Sequence, residues 1–386
     1  MSNYRVSLSE VPTIVENLAK CVDNKTLTLS FTRRAVQFLA FFAPRGASVA
    51  TWRHAVTLLA ILSCTPHPNN GIKVGLVTPG SVTDAAWNSG AYQGLLRIRD
   101  SLKVHISHVE ARTPAEQNEA LRAYAAQGYD LVFAHGFEFQ DLAERVSENY
   151  PHTVFIVTSG RRARLNVSPL IFRLEEASYL AGMVAGRLTK TNILGFIGGI
   201  ELPPIKAAYQ GWLNGARAVN PRVESRAVYL NSFDDVAAGR EAALALMEAG
   251  ADVFHHNADA AALGLFQAVK QRDGVYVFGA NTDQSKLAPG HVPGSAVIDL
   301  PHAFLLVASE VRQGSFVPHV EVFGLKSEVV KYVADPTLKK LVPASLQARM
   351  RAAADSIAKG TLVAAPRPGT MEARGPQEFP SPALRT

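Results

Sequence analysis

The amino-acid sequence predicts an α/β protein built from two Rossmann-like lobes. Short, nearly continuous apolar runs such as residues 74–77 end in turn residues, as buried parallel strands do. Helical patterns of about 10–15 residues separate these runs, which is typical of a parallel sheet covered on both faces. The alternation occurs twice along the 386-residue chain, which is long enough for two or three domains.

The first series opens with a strand at residues 74–77, a polar turn, and a helix over residues 85–98. Asp84 lies in that turn, where its carboxylate can cap the helix N-terminus. The rest of this series is predicted as strands at 102–106, 131–134 and 153–157 and helices at 114–127 and 140–149.

The second series is predicted as helices at 175–188, 207–218, 236–249 and 261–271 and strands at 193–197, 226–230, 253–254 and 275–278. A strand at 295–298 and a helix at 303–312 follow, and we expect them to return to the first lobe. The predicted division is a leader and tether at 1–70, lobe 1 at 71–172 and 296–318, lobe 2 at 173–295 and 319–362, and a disordered tail at 363–386.

The net charge of +6 is unevenly placed along the chain. Residues 1–70 carry seven Lys or Arg against three acids, and residues 360–386 carry three Arg against two acids, which leaves +1 for residues 71–359. A nearly neutral body has no basic footprint for DNA or RNA, so we expect no nucleic-acid partner.

Residues 53–64 resemble a bacterial secretory signal. Arg53 and His54 precede the apolar run AVTLLAIL, and Ser63-Cys64 follow it. The tetrad Ile61-Leu62-Ser63-Cys64 resembles a lipobox, in which the cysteine is acylated and becomes the mature N-terminus. This interpretation places the true start of translation nearer Val49; the alternative is an N-terminal extension with a chance cysteine. No apolar run reaches the ~18–20 residues of a membrane-spanning helix.

Nearly every predicted strand ends in a residue that can contact a small polar ligand. Two aromatic residues, Trp87 and Phe233, follow strands in different lobes and could enclose a planar ring. Two other interpretations remain: polar residues cap helices after strands in any α/β protein, and Trp87 could be core. The candidate ligand-binding residues are Asp84, Trp87, Asn88, Gly136, Phe137, Ser159, Phe233, Asn257 and Asp283.

The sequence offers little for catalysis, cofactors or metals. It has no GxSxG, HExxH, Walker A or GxGxxG motif. Asp84 and Asp283 could form an acid/base pair, but no nucleophile or metal accompanies them. His255 and His256 are adjacent on a strand and therefore point to opposite faces, which disfavours shared ligation of a metal. We predict neither a cofactor nor a bound metal nor enzymatic activity.

Several segments, taken in order, resemble one known family. They are KVGLVTPGSVTDAAWNSGAYQGL (73–95), GYDLVFAHGFEF (128–139), EEASYLAGMVAG (175–186), GARAVNP (215–221), NSFDD (231–235), AGADVFHHNADAAA (249–262) and FGANTDQSKLAP (278–289). Together they are similar to the basic membrane protein family, the PnrA-like substrate-binding lipoproteins of ABC transporters. The resemblance spans about residues 72–362.

The resemblance implies a type I periplasmic-binding-protein fold, in which three crossover strands form a hinge and the lobes close on a purine nucleoside or related purine. It implies Trp87 and Phe233 as the two stacking rings, Asp84 and Asn88 as polar contacts, and Asp283 as an acid on ribose. Some members carry a Lys at the position of Ile298 that helps to hold the sugar. The presence of Ile298 in place of that Lys favours a free base or another heterocycle as the ligand.

The family also implies partners and a location. We expect a monomer, held by a lipid anchor on the extracytoplasmic face of the membrane, that delivers its ligand to ABC permease and ATPase subunits. Two alternatives are a hydrolase or transferase acting on nucleosides, and a sensor that uses lobe closure to signal.

Overall fold

The computed structural model describes residues 71–365. The predicted leader with Cys64, and the tail from residue 366 onward, lie outside these residues. Within 71–365, no helix is both long and apolar enough to cross a membrane.

The described residues form two six-stranded sheets. The first sheet has the order β2-β1-β3-β4-β5-β11 and is parallel throughout. The second has the order β7-β6-β8-β9-β10-β12 and is parallel except for its last pair. The strands are β1 Lys73–Thr78, β2 His105–Glu110, β3 Leu131–Ala134, β4 Val154–Thr158, β5 Val167–Phe172, β6 Ile193–Gly198, β7 Glu224–Tyr229, β8 Val253–Asn257, β9 Tyr276–Asn281, β10 Gly294–Ile298, β11 Glu321–Phe323 and β12 Val330–Ala334.

Helices cover both sheets and, with them, form the first and second lobes. They are α1 Trp87–Leu102, α2 Pro114–Ala126, α3 Gln140–Ser147, α4 Leu174–Leu188, α5 Pro203–Val219, α6 Val236–Glu248, α7 Ala262–Val269, α8 Leu300–Gln313 and α9 Ala344–Ala358. The predicted α/β class with two Rossmann-like lobes is confirmed. In each sheet the strand order reverses beside the first strand, β1 or β6, and such reversals open a crevice at the carboxyl ends of the strands.

Two predicted lobe assignments are wrong. β10 pairs in parallel with β9, so residues 296–298 belong to the second sheet and not to the first. β11 pairs with β5, so residues 321–323 belong to the first sheet. The chain crosses between lobes after β5, after β10 and after β11, because each doubly wound series completes five strands before it leaves its sheet. Helix α8 does pack on α1, as expected for the first lobe.

Strand β5, which lies between β4 and β11, was not predicted from the sequence. Its sequence VSPLIF contains Pro169, and a proline inside a strand normally argues against a central position because it cannot donate to the ladder. The strand is nevertheless buried and pairs Pro169 with Val157. The burial of β5 on both faces therefore outweighs the preference of proline for edge strands.

The predicted disordered tail begins too early. Ala364 and Ala365 are buried, and the Ala364 carbonyl accepts a hydrogen bond of 2.9 Å from Asn214 Nδ2. Residues 363–365 are therefore part of the folded body, since α5 supplies a donor that fixes their backbone.

Helices α4 and α5 approach each other through glycines. A Cβ placed on Gly182 would lie 1.9 Å from the Trp212 carbonyl oxygen, and one on Gly215 would lie 1.9 Å from the Tyr179 carbonyl oxygen. Only hydrogen fits at such distances. The segment EEASYLAGMVAG therefore forms the surface of α4 that packs closely against α5 in the second lobe.

We expect Gly215→Ala to lower the free energy of unfolding by about 2 kcal/mol or more, because the added methyl must push α5 away from α4. Urea unfolding of the ligand-free protein, followed by circular dichroism, measures this. The control is Ala218→Gly on the exposed face of the same helix, with an expected cost of about 1 kcal/mol or less. A Gly215→Ala protein as stable as wild type would contradict the packing described.

Candidate functional site

A cavity of about 510 Å³ lies between the two lobes and is lined by the loops that follow their strands. Eight of the nine predicted ligand-binding residues line it: Asp84, Trp87, Asn88, Gly136, Phe137, Ser159, Phe233 and Asn257. The fold thus brings together residues that are up to 173 positions apart in the chain.

Trp87 begins helix α1 and is half-buried. One face of its indole stacks on the His135 ring, with centroids 4.2 Å apart and planes 24° apart, and its edge meets Phe172. Trp87 therefore packs one face against the protein core and still lines the cavity. Its role as a stacking platform for a ligand stays a prediction.

His135 stacks on one face of the Trp87 indole and is also hydrogen-bonded to the Trp87 backbone. Its Nε2 donates to the Trp87 carbonyl at 3.1 Å, because a carbonyl can only accept, and its Nδ1 then accepts from the Thr158 hydroxyl at 3.0 Å. Complete burial lowers the pKa of His135 to about 3, so the ring stays neutral. A neutral, doubly bonded imidazole fixes the orientation of Trp87.

Phe233 reaches the cavity from the second lobe. Its ring lies against Gly199, where a Cβ would come within 2.2 Å of Phe233 Cδ1. Beside it, the β6–α5 connection supplies an apolar wall that the sequence analysis did not identify: Ile200, Leu202, Pro204 and Ile205. No motif distinguishes these residues from ordinary helix-start residues, and only their position at the end of β6 could have indicated them.

Asp84 fixes the turn between β1 and α1. Its Oδ1 accepts from the backbone N–H groups of Ala86 and Ser89, and its Oδ2 accepts from that of Asn88, at 2.7–3.0 Å. It therefore caps the helix as well as facing the cavity. The Asn88 side chain is 7% exposed, and its Oδ1 has no hydrogen-bond partner in the protein.

Asp259, which the sequence analysis missed, faces this turn from the second lobe. Its Oδ1 accepts from Asn281 Nδ2 at 3.2 Å, and it is 7% exposed. Burial first, and then the nearby Asp84 carboxylate, raise the pKa of Asp259 to about 8. A signal was available, since Asp259 comes two residues after Asn257, which was itself a predicted ligand-binding residue.

Asp283 is the one predicted site residue that does not line the cavity. It is exposed, and its Oδ1 accepts from the Ser285 backbone N–H at 3.0 Å. Asn281 occupies the cavity instead, because it ends β9 and turns its side chain toward Asn257 and Asp259. The placement of Asp283 in the site was therefore wrong.

Several residues in or beside the cavity hold backbone angles that L-amino acids seldom adopt. Ala85, Ser159, Asp259 and Asn281 have φ values of +58°, +56°, +44° and +66°. Each costs of the order of 1–3 kcal/mol unless its surroundings impose it, and such residues cluster at functional sites. All four lie at or after the ends of strands, on the side where the two lobes meet.

Several contacts around the cavity cross from one lobe to the other. At the mouth, Arg112 pairs with Glu110 at 2.7 Å and with Asp234 of the second lobe at 3.4 Å. Deeper, the carbonyl of Ala85 accepts from Thr282 Oγ1 at 3.0 Å and from Gln284 Nε2 at 3.3 Å. These contacts exist only while the lobes are close together.

His255 and His256 lie in the second-lobe core, away from the cavity lining. His255 contacts Ser178 and the Phe278 carbonyl, whereas His256 contacts Gln284. Burial lowers the pKa values of the two rings to about 3 and about 4. Residues 71–365 contain no group of three or more side chains arranged to hold a metal ion.

Comparison with known proteins adds a family context. The sequence profile of a family described as "ABC transporter substrate-binding protein PnrA-like" matches residues 72–359. Basic membrane protein A2 of Borrelia garinii subsp. bavariensis is 29% identical over 75% of this chain and 88% of its own. The transcriptional activator protein med of Bacillus subtilis is 28% identical over 76% and 91%.

Solved structures agree with the fold. A solute-binding protein of an ABC transporter system from Aeropyrum pernix superposes with a TM-score of 0.70 at 21% identity, over 75% of this chain and 92% of its own. A solute-binding protein of the same kind from Conexibacter woesei gives a TM-score of 0.63 at 27% identity, over 76% and 98%.

We expect Asp259 to make stability depend on pH. Its pKa is higher in the folded than in the unfolded chain, so protonation favours the fold and this contribution is lost as pH rises from about 4 to about 8. Asp259→Asn, which is always neutral, should therefore gain thermal stability relative to wild type as pH increases across that window. Melting curves of both proteins at pH 5 and pH 8 measure the difference. Asp283→Asn should show no such trend, and a constant offset for Asp259→Asn would contradict the raised pKa.

Proposed function

The chain belongs to the PnrA-like family of ABC transporter substrate-binding proteins, and from that premise we propose that it captures a purine-like heterocycle outside the cytoplasm. The ligand is a purine nucleoside, a purine base or a similar ring. The protein encloses it between the two lobes and delivers it to the permease and ATPase subunits of an ABC transporter.

One observation supports this proposal above the others: aromatic rings from different lobes line one cavity. Trp87, fixed by His135, belongs to the first lobe, and Phe233, seated on Gly199, belongs to the second. A planar ligand that contacts both rings favours the closed arrangement of the lobes over an open one. The additional contacts that the ligand makes in the closed arrangement supply the free energy that drives closure.

The residues near the sugar position favour a free base over a nucleoside. Ile298, where some family members carry a Lys, lines the cavity as an apolar side chain. Asp283, the acid that the resemblance assigned to ribose, lies outside it. The charges of the cavity lining also disfavour an anionic ligand. The lining holds four acids and one base, and that base, Arg112, is already paired with Glu110 and Asp234. A phosphorylated ligand would meet net negative charge.

We propose reversible binding without turnover. Asp84, one candidate for acid/base chemistry, accepts three backbone N–H groups and so is committed to capping α1. Asp283, the other candidate, is outside the cavity. Neither carboxylate is placed to activate a nucleophile on a bound ligand.

A second candidate function is a ligand-responsive regulator. The likeness to the transcriptional activator protein med favours it, and the same closure would serve to signal. Permease and ATPase genes beside this one would favour uptake instead.

We expect the full-length protein to gain thermal stability with purine bases or nucleosides but not with pentoses or hexoses, because a ligand that binds the folded state raises stability by mass action. Trp87→Ala should then weaken calorimetric binding by about 1–3 kcal/mol through loss of one stacking face.

The matched control is Tyr92→Ala, an aromatic residue of the same helix that contacts His108 and does not line the cavity. Equal affinity of the Trp87→Ala and wild-type proteins would show that the indole serves packing alone. Release of a free base from a bound nucleoside would replace the binding role by an enzymatic one.

We also propose that Cys64 carries a lipid anchor on the extracytoplasmic face of the membrane. We expect palmitate fed to expressing bacteria to label the wild-type chain and not the Cys64→Ser variant, because only a thiol at the lipobox position accepts the lipid. Equal labelling of the two proteins, or none in wild type, would remove the anchor from the proposal.

A further inference from the structure

We propose that Asp259, which faces Asp84 and Asn88 across the cavity, determines ligand specificity: its carboxylate accepts two hydrogen bonds and so selects a planar ring with two adjacent N–H donors. Among purines this is the edge of a 2-amino-6-oxopurine, where a ring N–H lies beside an amino group. The inference rests on the proposed function and names the chemical class that the same cavity prefers.

The three acceptors come from both sides of the cavity. Asp84 and Asn88 belong to the turn before α1 and to its first residues, and Asp259 follows β8 in the other lobe. Asp84 and Asp259 are close enough for the charge of one to raise the pKa of the other, and the Trp87 backbone N–H also faces Asp259. A ligand edge placed between them therefore contacts both lobes at once.

Asn88 provides an independent indication that a donor is missing. Its side chain is 93% buried and lines the cavity, yet its Oδ1 has no hydrogen-bond partner in the protein. A buried acceptor without a partner costs about 1–3 kcal/mol of desolvation. Asn88 Oδ1 is enclosed by protein, so a ligand donor recovers this cost only when the amide turns toward the cavity on binding.

The surrounding charges favour the same class of ligand. The acids of the lining are Asp84, Glu138, Asp234 and Asp259, and its single base is Arg112. Burial has the largest effect on Asp259 and raises its pKa. The Asp84 and Asp234 carboxylates raise this pKa further, and the Asn281 amide and the Trp87 N–H lower it. Free Asp259 therefore retains its proton at neutral pH, and two N–H donors at its carboxyl would favour the ionised form.

Binding then has a defined proton balance. The Asp259 carboxylic acid releases its proton to solvent, and the carboxylate accepts the two ligand N–H groups in a bidentate pair. A ring that presents one donor and one acceptor would instead pair with the protonated acid and release nothing. Proton release therefore distinguishes the two edges.

The test is isothermal titration calorimetry of the full-length protein at pH 7 in two buffers with different ionisation enthalpies. The ligand pairs are guanosine with inosine and 9-methylguanine with 9-methylhypoxanthine, which differ only in the 2-amino group. We expect the amino member to bind about ten-fold tighter or more, the range for a hydrogen bond to a charged group, with release of close to one proton.

Asp259→Asn should reduce this preference to about two-fold or less, because the amide Nδ2 donates where the carboxylate oxygen accepts. It should also abolish proton release, because the amide has no acidic proton to lose. Its Oδ1 can still accept from Asn281, so the loop keeps its anchor. Asp283→Asn is the matched control, since it removes a carboxylate two residues beyond β9 and outside the cavity. It should keep both the preference and the proton release.

Three outcomes would overturn the inference: equal affinity for both members of each pair, an unchanged preference in Asp259→Asn, or tighter binding of adenosine without proton release. Each of these leaves a purine-binding protein intact. Absence of binding by any purine, in wild type and in Asp283→Asn, would instead remove the proposed function and this inference with it.

Discussion

The turn between β1 and α1 is held by one carboxylate, and most features of the site depend on it. Asp84 accepts three backbone N–H groups, so residues 84–89 have a fixed path despite the positive φ of Ala85. That path presents the Trp87 ring to the cavity and turns the Ala85 carbonyl toward the second lobe. Thr282 and Gln284 bond to this carbonyl, so a single turn organises both the ligand wall and the contact between lobes.

Burial lowers the pKa of His135 and raises that of Asp259, and both groups are neutral as a result. His135 loses its charge, so it can serve as a neutral support beneath an indole. Asp259 is also neutral at low and neutral pH, but it lines the cavity. Each group has two hydrogen bonds within the protein, but Asp259 also faces the Asp84 carboxylate and lines the cavity, whereas His135 does neither.

The polar ends of the strands were predictable because parallel strands end at the same edge of a sheet. Trp87, Phe233 and Asn257 follow that rule, and they meet in one cavity. Asp283 does not, because β9 continues to Asn281, three residues beyond the predicted end at residue 278, and Asn281 lines the cavity in its place. Element boundaries are the least certain part of a sequence pattern, and a shift of two residues moves a side chain from the cavity to the surface.

The sequence by itself determined the α/β class, the two repeats, the family and the aromatic pair, because apolar periodicity, turn residues and motif order are local properties. Tertiary structure alone decided that β10 completes the second sheet, that Pro169 lies in a central strand, and that the wall at Ile200–Ile205 faces the ligand space. It also decided that Asp259 meets Asp84. The physical reason is that pairing, burial and charge coupling depend on distances between residues far apart in the chain, which no local pattern records.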